Sequence, residues 1–468
     1  TPGTSRPPNL IVILADDLGY GDICAYGCAS GRTPHIDALA RSGVRFTQGY
    51  VTAPVCSPSR AALMTGRYQQ RFGHEFNPGG GGRDQKQALG TPVSERLFPQ
   101  YLKERGYATG MVGKWHLGAL PQFLPLARGF DEFFGFSQAA HLYLDPATPN
   151  VHYVDRGGRS RGTPLRVDPQ NPILRGNEPV EEKEYLTEAF TREAVSFIER
   201  HQAEPFFLYV AYNAPHTPLQ VTDRYYDRFP QIADEGHRIF AAMVSALDDG
   251  VGEITAALER AGLAERTLVV FSSDNGCATY TEACSNGPLL GGKLTFFEGG
   301  VRVPFVAAWP GTIPSGMVID VPVSTLDLLP TALELAGAEA PTDRPLDGRS
   351  LMALVRGEAG ADGHDQLVWR NGKSWAVRDG SWKLIRYDGE PPFLFDLASD
   401  PTESKNVASS MSEREAALER VYRAWEAGAV APLWTTRKPL YTSLQEIVEH
   451  KPMRLLETPE ADSILIDF

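Results

Sequence analysis

Two polar pairs stand far apart in the sequence, Asp16-Asp17 and Asp274-Asn275. Three carboxylates and one amide are all oxygen donors, a set that suits a hard cation such as Ca²⁺ or Mg²⁺. Either pair alone is better explained by acids that end a strand, or by an Asp-Asn-Gly turn. Two pairs at two matched strand ends favour a metal. Cys56 opens the run Cys56-Ser57-Pro58-Ser59-Arg60, and taken alone it reads as a buried thiol entering a helix. Lys114 and His116 follow Gly113, His216 closes Asn213-Ala214-Pro215-His216, and Lys293 follows Gly291-Gly292. Singly, each histidine reads as a satisfied structural one, and Lys293 as a loop residue. Gathered together, fixed cations offset the charge of an anionic ester before a nucleophile attacks it. Histidines beside them move protons near neutral pH.

Something must bring these residues together. Apolar runs at 9–15, 108–112, 205–211, 267–271 and 303–307 read as strands. Four of them end in the polar residues just named. Stretches 33–41, 94–105, 187–200, 238–261 and 325–336 have helical apolar spacing. Strands alternating with helices predict an α/β fold with a large mixed, mostly parallel sheet flanked by helices. In such sheets ligands bind beyond the carboxyl ends of the strands. The catalytic α/β domain is expected over 1–361. From 362 to 468 the texture changes to four short strands (366–370, 373–378, 382–387, 392–395), a polar helix at 412–427 and a tail. This predicts a smaller C-terminal antiparallel α+β subdomain.

Composition narrows the function. The chain has 468 residues and a formal net charge of −13, and is a poor candidate for a nucleic-acid binder, which needs a basic face. No apolar run approaches the roughly 20 residues of a spanning helix, and positions 1–8 show no signal peptide. The five cysteines stand at 24, 28, 56, 277 and 284. Cys24 with Cys28, and Cys277 with Cys284, are either short-loop disulfides or free thiols, which leaves Cys56 odd.

The arrangement Cys-x-Pro-Ser-Arg-x-x-Leu-x-Thr-Gly over 56–66 matches seven fixed positions of the type I sulfatase signature. Asn9 to Asp22, Thr33-Pro-His-Ile-Asp37, Gly113 to Gly118, Asn213 to Pro218, Ser273 to Gly276 and Asp347-Gly-Arg-Ser350 resemble further blocks of that family. The resemblance spans roughly positions 8 to 410. It implies the alkaline-phosphatase-like fold and conversion of Cys56 to formylglycine, whose hydrate is a geminal diol. One hydroxyl attacks sulfur; loss of the other's proton expels sulfate. The resemblance further implies that Asp16, Asp17, Asp274 and Asn275 hold one Ca²⁺, with Mg²⁺ as second choice. Arg60 orients residue 56 and offsets its charge. Lys114 and Lys293 bind sulfate oxygens, His216 stands near the leaving oxygen, and His116 takes the proton from the diol. A formylglycine-generating or maturase enzyme is the implied partner, and a periplasmic or secreted location the implied compartment.

The expected substrate is a sulfated carbohydrate, cleaved at the non-reducing end of a poly- or oligosaccharide. The long irregular segment 119–182 motivates this, because His141, Tyr143 and Arg156 within it are of the kind that grip sugars. A plain structural excursion explains the segment about as well. The rivals are an aryl sulfatase, a phosphonate monoester hydrolase of the same superfamily, a two-zinc phosphatase and a glycan-binding fold without activity. The zinc enzyme needs a His-rich ligand set that is not visible here. The intact set of ten site residues argues against the inactive fold.

Overall fold

The computed structural model describes residues 6–29, 31–79, 83–154, 168–436 and 444–449. Five parallel strands form the centre of its large sheet, in the spatial order Thr267–Ser273, Asn9–Ala15, Phe206–Ala211, Ala108–Lys114 and Glu132–Phe136. Beyond Thr267–Ser273 the sheet continues antiparallel through Arg302–Ala308 and Val44–Tyr50. Two short strands, Leu174–Arg175 and Glu178–Pro179, close the other edge.

The central strand Asn9–Ala15 explains why the sheet is covered on both sides. Successive side chains of a strand point to opposite faces. Ile11, Ile13 and Ala15 enter a core shared with helices Pro34–Ser42, Leu186–Arg200 and Glu235–Arg260. Leu10, Val12 and Leu14 enter a second core shared with helices Cys56–Thr65, Phe98–Lys103 and Leu328–Leu335. A strand buried on both faces reads as a continuous apolar run, and this one does.

The predicted strands and the four C-terminal strands are present, within two residues at each end. The helix expected at 94–105 is shorter, Phe98–Lys103. Pro99 stands in its first turn, where a missing N–H costs nothing, and not in its interior, where it would break the helix. Strands Val44–Tyr50 and Glu132–Phe136 were not expected. Arg45, Gln48, Glu132 and two glycines interrupt their apolar pattern.

The C-terminal strands Gln366–Asn371, Ser374–Asp379, Trp382–Arg386 and Phe393–Asp396 pair in sequence order, all antiparallel. One face packs Trp369, Ile385 and Phe395 on Tyr50, Phe297 and Val303 of the main body. The other receives helix Ser412–Glu426, where Trp375 stacks on Tyr422 at 3.9 Å. Disulfides join Cys24 to Cys28 and Cys277 to Cys284, and Cys56 is a buried free thiol.

Candidate active site

The register of the sheet places the polar clusters side by side. Ala15 is level with Ser273, Leu14 with Ala211, and Ala211 with Gly113. Asp16, Asp274, Asn213 and Lys114 therefore stand at the carboxyl ends of four adjacent strands. The ladder runs one step past the strands: Asp16 N–H donates to Ala214 C=O and Asp274 N–H to Ala15 C=O, both at 3.1 Å. Gly113 takes φ 109°, and a Cβ there would lie 1.9 Å from Ala211 O. Only glycine fits, and it lets Lys114 enter the site.

Cys56 comes from the helices that cover one face of the sheet, at the first position of helix Cys56–Thr65. Its Sγ lies 3.4 Å from Asp16 Oδ1 and 4.0 Å from Asp17 Oδ1. One turn on, Arg60 donates through Nε to Asp274 Oδ2 at 2.9 Å and through Nη1 to Lys114 O at 2.8 Å. Its Nη2 is 3.6 Å from Asp16 Oδ2. Lys114 Nζ donates to Asp16 Oδ2 at 2.6 Å. Lys293 Nζ donates to Asp17 Oδ2 at 2.8 Å and meets His216 Nε2 at 3.2 Å. His216 Nδ1 donates to Thr217 C=O at 2.6 Å, which leaves Nε2 as the acceptor that faces Lys293. Asn275 Nδ2 donates to Asp17 Oδ1 at 2.7 Å.

Burial decides the electrostatics. Asp16, Asp17, Asp274, Asn275, Cys56, Arg60, Lys114, His116, His216 and Lys293 are all buried. Burial pushes Asp16 up, but Lys114, His216 and Arg60 outweigh it and hold its carboxyl below the usual range. Burial, and then Asp16, push Asp274 up. Burial, followed by Asp274, raises the Cys56 thiol well above its ordinary value. Burial lowers His116 far below the usual imidazole range, with Lys114 and Arg60 adding to it. Lys293 is raised, because Asp17 overcomes the cost of burial.

The donor set fits a divalent cation. Carboxylate oxygens of Asp16 and Asp17 lie within 4.8 Å of one another and of Cys56 Sγ and a His216 ring nitrogen. Asn275 Oδ1 is buried and, among the described residues, has no hydrogen-bond partner. An orphaned buried oxygen beside carboxylates is a ligand in want of a hard cation.

The geometry gathers all ten residues singled out by type. Of the three expected to grip a sugar, Tyr143 is committed elsewhere, His141 is part-engaged, and Arg156 lies outside the described residues. Tyr143 is buried, with its hydroxyl 2.5 Å from Asn213 O and 2.9 Å from His216 O. It shapes the His216 loop and has no polar atom left for a sugar. His141 is half-buried, with Nδ1 2.7 Å from Leu142 O and its ring 5.2 Å from that of Phe136. Residues that spacing could not reveal also reach the site. Asn77 Oδ1 accepts from Ser57 N–H at 3.0 Å, and His74 Nε2 lies 2.6 Å from Ser57 Oγ. Trp434, in the C-terminal tail, donates to Asn77 O at 3.1 Å and packs on His74.

Comparison with known proteins agrees with this geometry. The sulfatase family model matches residues 8–338. The chain belongs to the sulfatase family. It is a sulfuric ester hydrolase with the fold of the alkaline-phosphatase-like superfamily. A second model, that of the N-sulphoglucosamine sulphohydrolase C-terminal region, matches residues 292–423 of the enzyme. N-acetylgalactosamine-6-sulfatase of Sus scrofa is 40% identical over 377 residues, 76% of this chain and 67% of the relative. Arylsulfatase A of Homo sapiens is 36% identical over 449 residues, 87% and 85% of the two chains. Among solved structures, Ps i-CgsB in complex with k-i-k-neocarrahexaose superposes with a TM-score of 0.84 at 36% identity, covering 92% of the enzyme and 96% of that chain. Phosphonate monoester hydrolase of Agrobacterium radiobacter shares the fold alone, with a TM-score of 0.66 at 21% identity.

Proposed function

We propose that this sulfatase removes sulfate from a sulfated carbohydrate, at the end of a poly- or oligosaccharide, through formylglycine made from Cys56. The observation that carries the reading is the placement of Cys56. It opens a helix, 3.4 Å from Asp16, inside a ring of buried cations. Its thiol, raised by burial and Asp274, is a poor thiolate nucleophile, which argues for chemistry after modification. Formylglycine supplies a hydrated aldehyde, one hydroxyl for attack on sulfur and a second whose deprotonation frees sulfate.

The chain's own residues do the rest. Asp16, Asp17, Asp274 and Asn275 would hold Ca²⁺. Three carboxylates and the three cations Arg60, Lys114 and Lys293 cancel in charge, so a divalent cation leaves the site positive and attractive to a sulfate monoester. Lys114 and Lys293 bind sulfate oxygens, and Arg60 offsets charge on residue 56, a task for a guanidinium that keeps its proton. His216 Nε2, beside Lys293, stands for the leaving oxygen. His116, held neutral by burial, has, among the described residues, an unengaged ring nitrogen that would receive the proton of the diol.

The carbohydrate half of the reading rests on relatives. One is named for N-acetylgalactosamine 6-sulfate and another was solved with a neocarrahexaose. The two disulfides suit an oxidising compartment, which supports the periplasmic or secreted placement we propose. Among the described residues no helix is long and apolar enough to cross a membrane. The experiment compares turnover of sulfated galactose, galactosamine and glucosamine sugars with aryl sulfate, aryl phosphate and a phosphonate monoester. The sugar sulfates should be fastest. Phosphonate faster than every sulfate sinks the reaction, and activity confined to aryl sulfate sinks the substrate.

A further inference from the structure

His116 poses a positioning problem. Both of its ring nitrogens are buried and, among the described residues, neither has a hydrogen-bond partner. Nothing polar aims the ring, so the backbone must. That backbone is unusual, with φ 60° at a residue that carries a Cβ, a conformation that costs free energy unless its surroundings hold it.

Two bonds hold it. His116 N–H donates to Ser137 C=O at 3.1 Å, and His116 C=O accepts from Ser57 Oγ at 2.5 Å. Ser57 is the residue after Cys56. Its hydroxyl has one proton, spent on that carbonyl, so the His74 nitrogen 2.6 Å away must be the donor to Ser57 Oγ. His74 Nδ1 is then the acceptor, and Thr91 Oγ1 supplies its proton at 3.0 Å. Burial, with Arg128 adding, lowers His74 to about 3, which suits this neutral tautomer. The direction of every bond is thereby fixed: Thr91 to His74, His74 to Ser57, Ser57 to the His116 carbonyl.

We infer that His74 is a positioning residue for the sulfatase reaction, acting through Ser57 to hold both the start of the nucleophile helix and the backbone that aims His116. Trp434 packs edge-to-face with its ring, centroids 4.7 Å apart, so the C-terminal tail is part of the clamp. No motif in the sequence marks His74. The inference rests on the proposed role of His116.

The test uses Ser57→Ala, His74→Phe, His74→Gln and the double variant of the first two, on full-length enzyme with melting temperature as the folding control. Glutamine can place an amide N–H where Nε2–H stands. Ser57→Ala and His74→Phe should each lower kcat about 10–100-fold with KM within about threefold, the scale for partners that orient a functional group. The double variant should fall little below the worse single, because one chain of bonds is broken only once. His74→Gln should recover to within about fivefold. In the Ser57→Ala crystal structure His116 should leave its positive φ. An unmoved His116, unaltered kcat, losses that multiply in the double variant, or a glutamine as damaging as phenylalanine each overturns the inference. Should His116→Ala retain full turnover, the proposed function fails instead, and the two failures are distinct. Should His74→Phe not fold, Ser57→Ala and His74→Gln still decide.

Discussion

Lys114 Nζ donates to Asp16 Oδ2 at 2.6 Å, and both side chains are fully buried. The two residues are 98 positions apart and end strands that are not neighbours, since Phe206–Ala211 runs between them. The pair joins the proposed metal-binding group to the proposed sulfate-binding group. Preorganised charge in a dry site is the largest single contribution in many enzymes. Lys114→Ala should lower kcat/KM for a sulfate ester by about 10²–10³-fold. Lys114→Arg should not restore it, because a planar fork does not fill the place of a compact ammonium. Steady-state kinetics check both. A Lys114→Ala enzyme within about threefold of wild type would remove this lysine from the site chemistry.

Cation removal gives a second prediction. Asp274 is pushed up by burial and by Asp16, even with Arg60 beside it, so a further cation among the carboxylates relieves their crowding. Chelation should abolish turnover and lower the melting temperature, and Ca²⁺ should restore both. A cation at about 100 times its Kd stabilises by about 2.7 kcal/mol through mass action. Scanning calorimetry against Ca²⁺ concentration measures this directly. A melting temperature indifferent to chelator and cation would contradict the assignment of Asp16, Asp17, Asp274 and Asn275.

Much of this site was legible because its residues end apolar runs. Asp16-Asp17 and Asp274-Asn275 follow strands buried on both faces, and such strands announce themselves by composition alone. Lys293 was visible only through the family's spacing, since its loop has no periodicity. His74, Ser57 and Asn77 were not legible as a unit. A bond between a loop and a helix start depends on three-dimensional approach, to which no repeat or spacing corresponds. Tyr143 misled by type: an aromatic with a hydroxyl suits a sugar, but burial spent that hydroxyl on Asn213 and His216 carbonyls. Strand Val44–Tyr50 was missed because its pattern is broken by Arg45, Thr47 and Gln48, which meet Tyr26, Ile319 and Asp320.

The pH dependence of stability should carry the signature of His74. Its imidazole is lowered to about 3 by burial, with Arg128 second, whereas in the unfolded chain it titrates near 6.5. The unfolded chain therefore binds more protons between those values, and stability falls as pH drops below 6.5. At pH 5 this one group costs about 2 kcal/mol relative to pH 8. His116 and His216 shift in the same direction, so the whole enzyme should lose more. Urea unfolding at pH 5 and pH 8 should show a smaller pH difference in His74→Gln than in wild type. An equal difference would mean that His74 is not held neutral.

The last prediction concerns the join between the main body and the C-terminal sheet. Lys383 Nζ lies 2.7 Å from Glu298 Oε1 and 2.9 Å from Glu403 Oε1, with all three side chains fully buried. The two carboxylates differ. Burial pushes Glu298 up, but Lys383, Arg302 and Arg378 together bring it down to about 2. Glu403 has Lys383 and few other cations, so burial prevails and raises it to about 7. Removing the lysine leaves two buried carboxylates facing each other, which costs about 3–5 kcal/mol. Lys383→Met should show that loss by chemical denaturation at pH 8. The loss should shrink at pH 5.5, where Glu403 is protonated and the repulsion is relieved. Helix Glu298–Val301 begins five residues after Lys293, so the loosened join should also raise KM for the sulfate ester. A variant that is as stable as wild type at pH 8 would show that packing of Trp369, Ile385 and Phe395, and not the buried ions, holds the two sheets together.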